Sequence, residues 1–301
     1  MLMKKKLISI VGPTGIGKTA LAIELAQHFN TEIISADSRQ FFHELNIGVA
    51  RPTDIELAAA PHHFIAHRSI EQEYSAGMFA KDARTKIDEL HQSNDAVIMV
   101  GGSGMYVDAV LKGLDDLPSD SSIRAAFNEE LEKYGLLALQ EKLKEKDPEY
   151  FQKVDISNPH RVVRALEVIE VSGKKFSELR SGSQQELPFD SIVFCLTAER
   201  DFLYERINSR VDAMLHAGLL DEAKNLYSKR QLQSLNTVGY KEIFEYIDGT
   251  YTLEFAIDKI KQHSRNYAKR QITWWKRDLS IAWIHADAKS SPLKQVLDFM
   301  K

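Results

Sequence analysis

The sequence predicts an α/β fold: a parallel sheet flanked by helices, interrupted by a helical insertion domain. Strand-length apolar runs recur at LISIV (7–11), EIISA (32–36), AVIMV (96–100), SIVFCLT (191–197) and IAWIHA (281–286), separated by segments long enough for helical crossovers. A Gly-rich turn leads from the first run into a helix-spaced segment. Between 114 and about 191 charged, helix-forming sequence replaces the strand rhythm.

The first run begins near Lys6, and TALAIELAQHF after the turn places Leu21, Ala22 and Leu25 on one helical face. The insertion is assigned to 115–190, between core segments 1–114 and 191–301, with Pro118 and SGSQQELP as its approximate joints. Beyond the fourth run, ERDFLYERINSRVDAMLHAGLLDEAKNLY reads as two helices meeting near Gly218. VGYKEIFEYI follows, and a last long helix runs from about 253 to 276.

A chain of 301 residues with 44% hydrophobic and 27% charged residues has the composition of a globular enzyme with a substantial core. Its formal net charge of -4 means that any nucleic-acid binding rests on a local patch. The single cysteine, Cys195, sits in the apolar run IVFCL and is read as a buried, inert thiol; it excludes an internal disulfide. The basic start MLMKKK enters a short apolar run and then the Gly-rich turn, and no segment approaches the roughly 20 apolar residues of a membrane helix. A cytoplasmic protein is expected, with a monomer as the default.

GPTGIGKT (12–19) fits the phosphate-binding pattern G-x-x-x-x-G-K-[ST] in its proper context, between a strand and a helix, so the sheet is expected to be P-loop NTPase-like. Gly12, Pro13, Thr14, Gly15, Ile16 and Gly17 would form the phosphate-binding turn, curling backbone N–H groups, which Pro13 alone lacks, around phosphate oxygens. Lys18 would add a point charge, and the Thr19 hydroxyl would ligate Mg²⁺. A nucleotide is the usual occupant of such a turn. A nucleotide hydrolase, however, carries a magnesium-holding acid after a second buried strand. Here AVIMV runs into GGSGMY, and its only acid, Asp95, precedes the strand.

The second strand delivers SADSRQFF, so Asp37 falls at the sheet edge where ligands of open α/β sheets bind. A carboxylate there can ligate metal, act as a general base or cap the following helix.

GPTGIGKT, SADSRQ, IGVARP, PHHF, GGSGMY, HRVVRALEV with SGK, RVDAMLHAGLLDE, VGYKE and YAKRQITWWKR, in that order between 10 and 277, together resemble the tRNA dimethylallyltransferases of bacterial type, also called tRNA isopentenyltransferases. The resemblance implies transfer of a dimethylallyl group from its diphosphate to the exocyclic N6 amine of the adenosine immediately 3′ of the anticodon. The turn would then hold the pyrophosphate of an isoprenoid. It further implies Asp37 as the base, Lys18, Thr19 with Mg²⁺ and the turn's amides as stabilisers of departing pyrophosphate, and Arg210 as a clamp on the same group. Ser103 stands where the family usually has threonine; it keeps a hydroxyl for the substrate. Gly15 and Ile16 replace the commoner Ala-Ser of the turn.

Between 259 and 277 there are seven Lys or Arg and no acid, with Lys261, Arg265 and Lys269 spaced i, i+4 and Tyr267, Trp274 and Trp275 interleaved. A solvated face over core aromatics is one reading; with the resemblance, the RNA backbone is the expected partner of Lys261, Arg265, Lys269 and Arg270. His160, Arg161 and Arg164, together with Asp37, Ser38, Arg39, Gln40 and Ser103, are expected to meet tRNA as well, as is Arg124. A base modified within an anticodon loop must leave its stack. His62, His63 and His67 lack the further ligands of a zinc site and are read as structural. Other readings of the turn are a small-molecule kinase, an adenylate isopentenyltransferase and a nucleotide-switched RNA-binding protein.

Overall fold

The computed structural model describes residues 5–115, 117–180, 186–287 and 291–301. Six strands, β1 (Lys6–Val11), β2 (Ile33–Ser35), β3 (His62–His63), β4 (Ala96–Val100), β5 (Asp190–Thr197) and β6 (Ala282–His285), form one sheet in the order β3-β2-β4-β1-β5-β6. Every pairing is parallel, with Lys6 of β1 facing Ala96 on one side and Asp190 on the other. β4 is buried at all five positions, which is why it reads as an unbroken apolar run. Alternate side chains feed two cores. Leu7, Ile34, Val97 and Met99 pack on one face with Phe79 and Ile87; Ile8, Ile10, Ile33 and Ile98 pack on the other with Leu21, Leu25 and Phe194. Each such side chain contributes roughly 1.5–3 kcal/mol by leaving water. β3 is a two-residue edge pairing inside PHHF, too short to carry an apolar period.

The first helices are α1 (Lys18–Phe29), α2 (Asp54–Ala59), α3 (Ala76–Leu90) and α4 (Gly104–Lys112). α2 forms by local chemistry, since Thr53 and Glu56 cap it reciprocally and none of its residues is buried.

The chain divides into two compact units, 1–112 with 186–301 and 113–185. The sequence placed the joints at 114/115 and 190/191; of the second expected joint, residues 181–185 lie outside the described residues. The smaller unit contains α5 (Ser121–Tyr134), α6 (Leu136–Lys146), α7 (Pro148–Lys153), α8 (Pro159–Ser172) and α9 (Phe176–Leu179). Asp120, Asp147 and Asn158 cap α5, α7 and α8 with side-chain oxygens. Leu139, Leu143, Val162, Leu166 and Val168 form its core. Within that core Glu167, 0% exposed, accepts both arms of Arg124 at 3.0 Å and pairs with Arg164 at 3.0 Å. Burial pushes the Glu167 carboxyl up, but the two guanidiniums and the Asp120 amide outweigh it and hold the group below its usual range. Arg164 also donates to the carbonyls of Leu117 and Pro118.

The chain then returns through β5 to α10 (Arg200–His216), α11 (Leu219–Leu226), α12 (Tyr240–Ile247), α13 (Leu253–Trp275) and α14 (Pro292–Phe299). Gly218 breaks α10 from α11 at φ +104°, a left-handed turn that favours glycine. Cys195 is buried in β5, and burial pushes its thiol up to about 12, consistent with an inert side chain. Among the described residues no helix is long and apolar enough to cross a membrane.

Removing one cation from the Glu167 cluster leaves a buried carboxylate half compensated. Arg164→Ala is expected to cost about 3 kcal/mol, read as a lower urea midpoint for loss of helical signal.

Candidate active site

The Gly-rich turn leaves β1 at Gly12, where φ is +137° and a Cβ would lie 2.7 Å from the Leu196 carbonyl oxygen of β5. Only glycine lets the two strands approach there. Gly17, at φ +104°, caps α1 without a side chain, leaving the first amides of the helix directed at the turn's hollow. Lys18 reaches back to donate to the Pro13 carbonyl at 2.9 Å. Two further groups hold the turn from outside. Arg206 of α10 donates Nε–H to the Gly15 carbonyl at 2.8 Å, and Gln271 of α13 accepts the Thr14 amide at 2.8 Å. Gln271, 6% exposed, also donates to the Gly102 carbonyl at 2.9 Å. The Thr14 amide is therefore engaged by protein.

Beyond the turn opens a cavity of about 760 Å³, whose walls include Thr14, Lys18, Thr19, Asp37, Arg210 and Tyr267. Asp37 follows β2 and accepts the Arg39 amide at 3.0 Å, closing a local turn. No helix follows directly, so the helix-cap reading is corrected to a turn closed by the carboxylate, and the same carboxylate faces Lys18, Arg210 and Tyr267, whose titrations all feel it. Burial pushes Lys18 down to about 8, against the opposing pull of Asp37 and with help from Arg210. Burial also lowers Arg210 and Arg39. Lys18, Arg39 and Arg210 are thus cations partly withdrawn from water near Asp37, suited to an anion, although Glu56 and Glu205 also line the cavity and Glu56 acts on Arg210.

Ser103 accepts the Ser38 amide at 3.2 Å, donates to the Ser38 hydroxyl at 3.1 Å, and hydrogen-bonds Tyr267. The glycines around it answer to close packing. A Cβ at Gly101 would lie 2.5 Å from the Ala36 carbonyl oxygen, at Gly102 2.3 Å from Gln271, and at Gly104 2.4 Å from Trp274. An acid has no room at the position where a nucleotide hydrolase carries one. Gln40 donates to the carbonyls of Val49 and Ala50, and Arg210 donates to Ala50 at 3.4 Å.

The site residues expected from sequence at 12–19, 37–40, 103 and 210 all fall in this unit. Of the basic stripe, Lys269 and Arg270 are exposed. Lys261 instead pairs with Asp212 at 2.6 Å, and Arg265 donates to Asn208 at 2.6 Å, both on α10. In the smaller unit His160 is exposed, Arg161 is half-exposed beside Asp155, and Arg124 and Arg164 hold Glu167. Of the histidines, His62 bonds the Ala60 carbonyl and His63 bonds Glu32, while His67 packs against Phe41 and Tyr74. Sequence reasoning missed Gln271 and Arg206. Spacing held the signal, since Tyr267 and Gln271 are i, i+4 on α13, and Arg206 and Arg210 are i, i+4 on α10.

Among the described residues no cluster of three or more His, Cys, Asp or Glu could cage a metal. The donors present suit Mg²⁺ in another way. The Thr19 hydroxyl opens on a wide cavity, and Mg²⁺ commonly keeps its waters and binds largely through substrate phosphates.

The fold and site define a P-loop-type α/β protein whose Gly-rich turn and Asp37 carboxylate border one cavity. A family model described as IPP transferase matches residues 40–278. The chain is 49% identical over 300 residues to the tRNA dimethylallyltransferase of Christiangramia forsetii, covering 99% of this chain and 98% of the relative. It is 46% identical to tRNA dimethylallyltransferase 1 of Phocaeicola vulgatus, with 98% of each covered. Among solved structures, the tRNA isopentenylpyrophosphate transferase of Bacillus halodurans is similar at TM-score 0.72 and 38% identity, covering 99% of this chain and 96% of that one. A eukaryotic dimethylallyltransferase acting on tRNA superposes at TM-score 0.77 and 28% identity, with 97% and 75% covered. The chain belongs to the IPP transferase family.

A lysine near 8 without its anion is raised when an anion arrives, so binding above that pH takes up a proton. With the ligand's own ionisation and Mg²⁺ binding subtracted, pyrophosphate affinity is expected to be flat below about pH 7.5 and to weaken by up to about tenfold per pH unit above about 8. Calorimetry in buffers of different ionisation heat checks both the trend and the proton uptake. Lys18→Met should abolish the dependence.

Proposed function

We propose that this protein transfers the dimethylallyl group of dimethylallyl diphosphate to N6 of the adenosine immediately 3′ of the anticodon in certain tRNAs, releasing pyrophosphate. It is read as acting as a monomer in the cytoplasm. The observation that carries the chemistry is the convergence of the Asp37 carboxylate with Lys18 and Arg210 on one cavity at the phosphate turn.

The adenine amine attacks C1 of the dimethylallyl group, a C–N bond forms, and the C–O bond to diphosphate breaks. Asp37 accepts the proton that the amine loses. Lys18, Arg210 and the free amides of the turn meet the charge that gathers on the leaving oxygen. They are already placed, so little reorganisation is needed as the bond breaks. Mg²⁺, held by Thr19 and by the diphosphate itself, would supply further positive charge on the leaving group. Ser103 and Tyr267, hydrogen-bonded beside Asp37, border the place of the incoming base. Arg39, Ser38 and Gln40 follow Asp37 on the same loop and are assigned to the tRNA side, with the exposed Lys269 and Arg270 of α13 as backbone contacts. Lys261 and Arg265 would join them by exchanging their α10 partners for phosphate. In the smaller unit His160 and Arg161 are the exposed candidates, while Arg124 and Arg164 act through the Glu167 cluster that shapes α8.

Incubation with Mg²⁺, labelled dimethylallyl diphosphate and unmodified tRNA, followed by nucleoside digestion, should place label on the exocyclic amine of that adenosine. Label on free adenine nucleotide instead would overturn the tRNA assignment. Asp37→Ala is expected to lower transfer by roughly 10²- to 10⁴-fold with tRNA affinity within about twofold of the unsubstituted protein. Full transfer in that variant would refute the assigned base.

A further inference from the structure

Three sequence blocks, IGVARP (47–52), LLDE (219–222) and VGYKE (238–242), have no part in the chemistry above. The fold brings all three to one carboxylate. Glu222 of α11 accepts the Ile47 amide at 2.8 Å, the Gly48 amide at 2.9 Å and the Tyr240 hydroxyl at 2.6 Å. Tyr240 is fully buried, and burial together with Glu222 raises its pKa, so the phenol remains a donor. Its ring occupies the space in which a side chain at position 48 would stand. A Cβ on Gly48 would lie 2.6 Å from it.

The consequence appears two residues on. With the 47–48 amides held, the loop closes through Ala50 N–H to the Ile47 carbonyl at 2.9 Å and Arg51 N–H to the Asn46 carbonyl at 3.1 Å. Ala50 adopts φ +46°, a left-handed conformation unfavourable for a residue with a Cβ. So turned, the Ala50 carbonyl accepts Gln40 at 3.0 Å and Arg210 at 3.4 Å. Val49, Ala50 and Pro52 line the cavity with Arg210 and Asp37, whereas Glu222 stands outside its lining.

We propose that Glu222 is a positioning residue for Arg210: by holding the Ile47 and Gly48 amides it sets the Ala50 carbonyl that aims the guanidinium into the diphosphate site. The proposal rests on the reading of Arg210 as the clamp on departing pyrophosphate. A carboxylate that accepts two adjacent amides and a phenol is a strong and directional anchor. Glutamine at 222 keeps the size but loses the charge and turns an N–H₂ toward donors, which releases at least one of the three bonds.

The test is calorimetric binding of inorganic pyrophosphate with Mg²⁺ to the full chain, as Glu222→Gln, Arg210→Ala and the double variant, with tRNA affinity measured alongside. Expected is a loss of about tenfold for Glu222→Gln, no further loss when it is added to Arg210→Ala, and tRNA affinity within about twofold of the parent. Tyr240→Phe, which keeps the ring against Gly48 and removes one donor, should give a smaller loss that also vanishes without Arg210, and it serves if Glu222→Gln does not fold. An equal loss in both backgrounds, no loss at all, or a matching fall in tRNA affinity overturns the anchor while the clamp stands. Arg210→Ala that binds pyrophosphate as tightly as the parent overturns the clamp reading, and the anchor with it.

Discussion

A backbone loop that offers its amides to an anion must place its carbonyls elsewhere, and the turn between β1 and α1 does so by borrowing partners from α10 and α13. Lys18 takes the Pro13 carbonyl and Arg206 takes that of Gly15. Gln271 ties the Thr14 amide to the Gly102 carbonyl, joining the turn to the loop after β4. Because α13 also carries Tyr267 one helical turn earlier, the same helix shapes both the phosphate end and the acceptor end of the cavity. The site is built from distant stretches of chain held by a few directed hydrogen bonds; those of Lys18 and Gln271 are partly or wholly shielded from water, where they are electrostatically stronger, and that of Arg206 is exposed.

Electrostatics explains why the cavity suits a diphosphate. Burial lowers Lys18, Arg39 and Arg210 together, so each charged form lacks part of the solvation it would have in water. Asp37, with Glu56 acting on Arg210, offsets that loss only in part. An incoming polyanion would restore the missing compensation, and as the leaving group gathers charge the same cations would interact more strongly with it. Asp37 is kept within this field by its bond to the Arg39 amide, so a local turn preference and a site for a general base coincide in one residue.

Long elements were legible because their periods repeat. β1, β4, β5 and α13 lie within a residue or two of the positions read from apolar runs and helical spacing. β3 escaped because two residues cannot display alternation, and α2 escaped because its six residues bury nothing and owe their helix to capping alone. The basic stripe was legible as charge, but a run of charges says nothing about what faces it. Asp212 and Asn208 are about fifty residues away in sequence from Lys261 and Arg265 and meet them only once α10 and α13 pack. Arg124 and Arg164 belong to the same class, since Glu167 looks like one more surface acid until α8 turns it inward.

Sequence alone determined the parallel α/β class, the phosphate turn with Lys18 and Thr19, the acid Asp37 beyond β2 and the family resemblance. These are encoded in contiguous stretches whose geometry follows from local rules. Tertiary structure decided which amides of the turn remain free, which cations face the cavity, why Gly101 and Gly102 exclude an acid, and how Glu222 reaches a loop 174 positions away. Those facts depend on close approach between segments remote in the chain, and a distance of closest approach is a property of packing that no local pattern of residues carries.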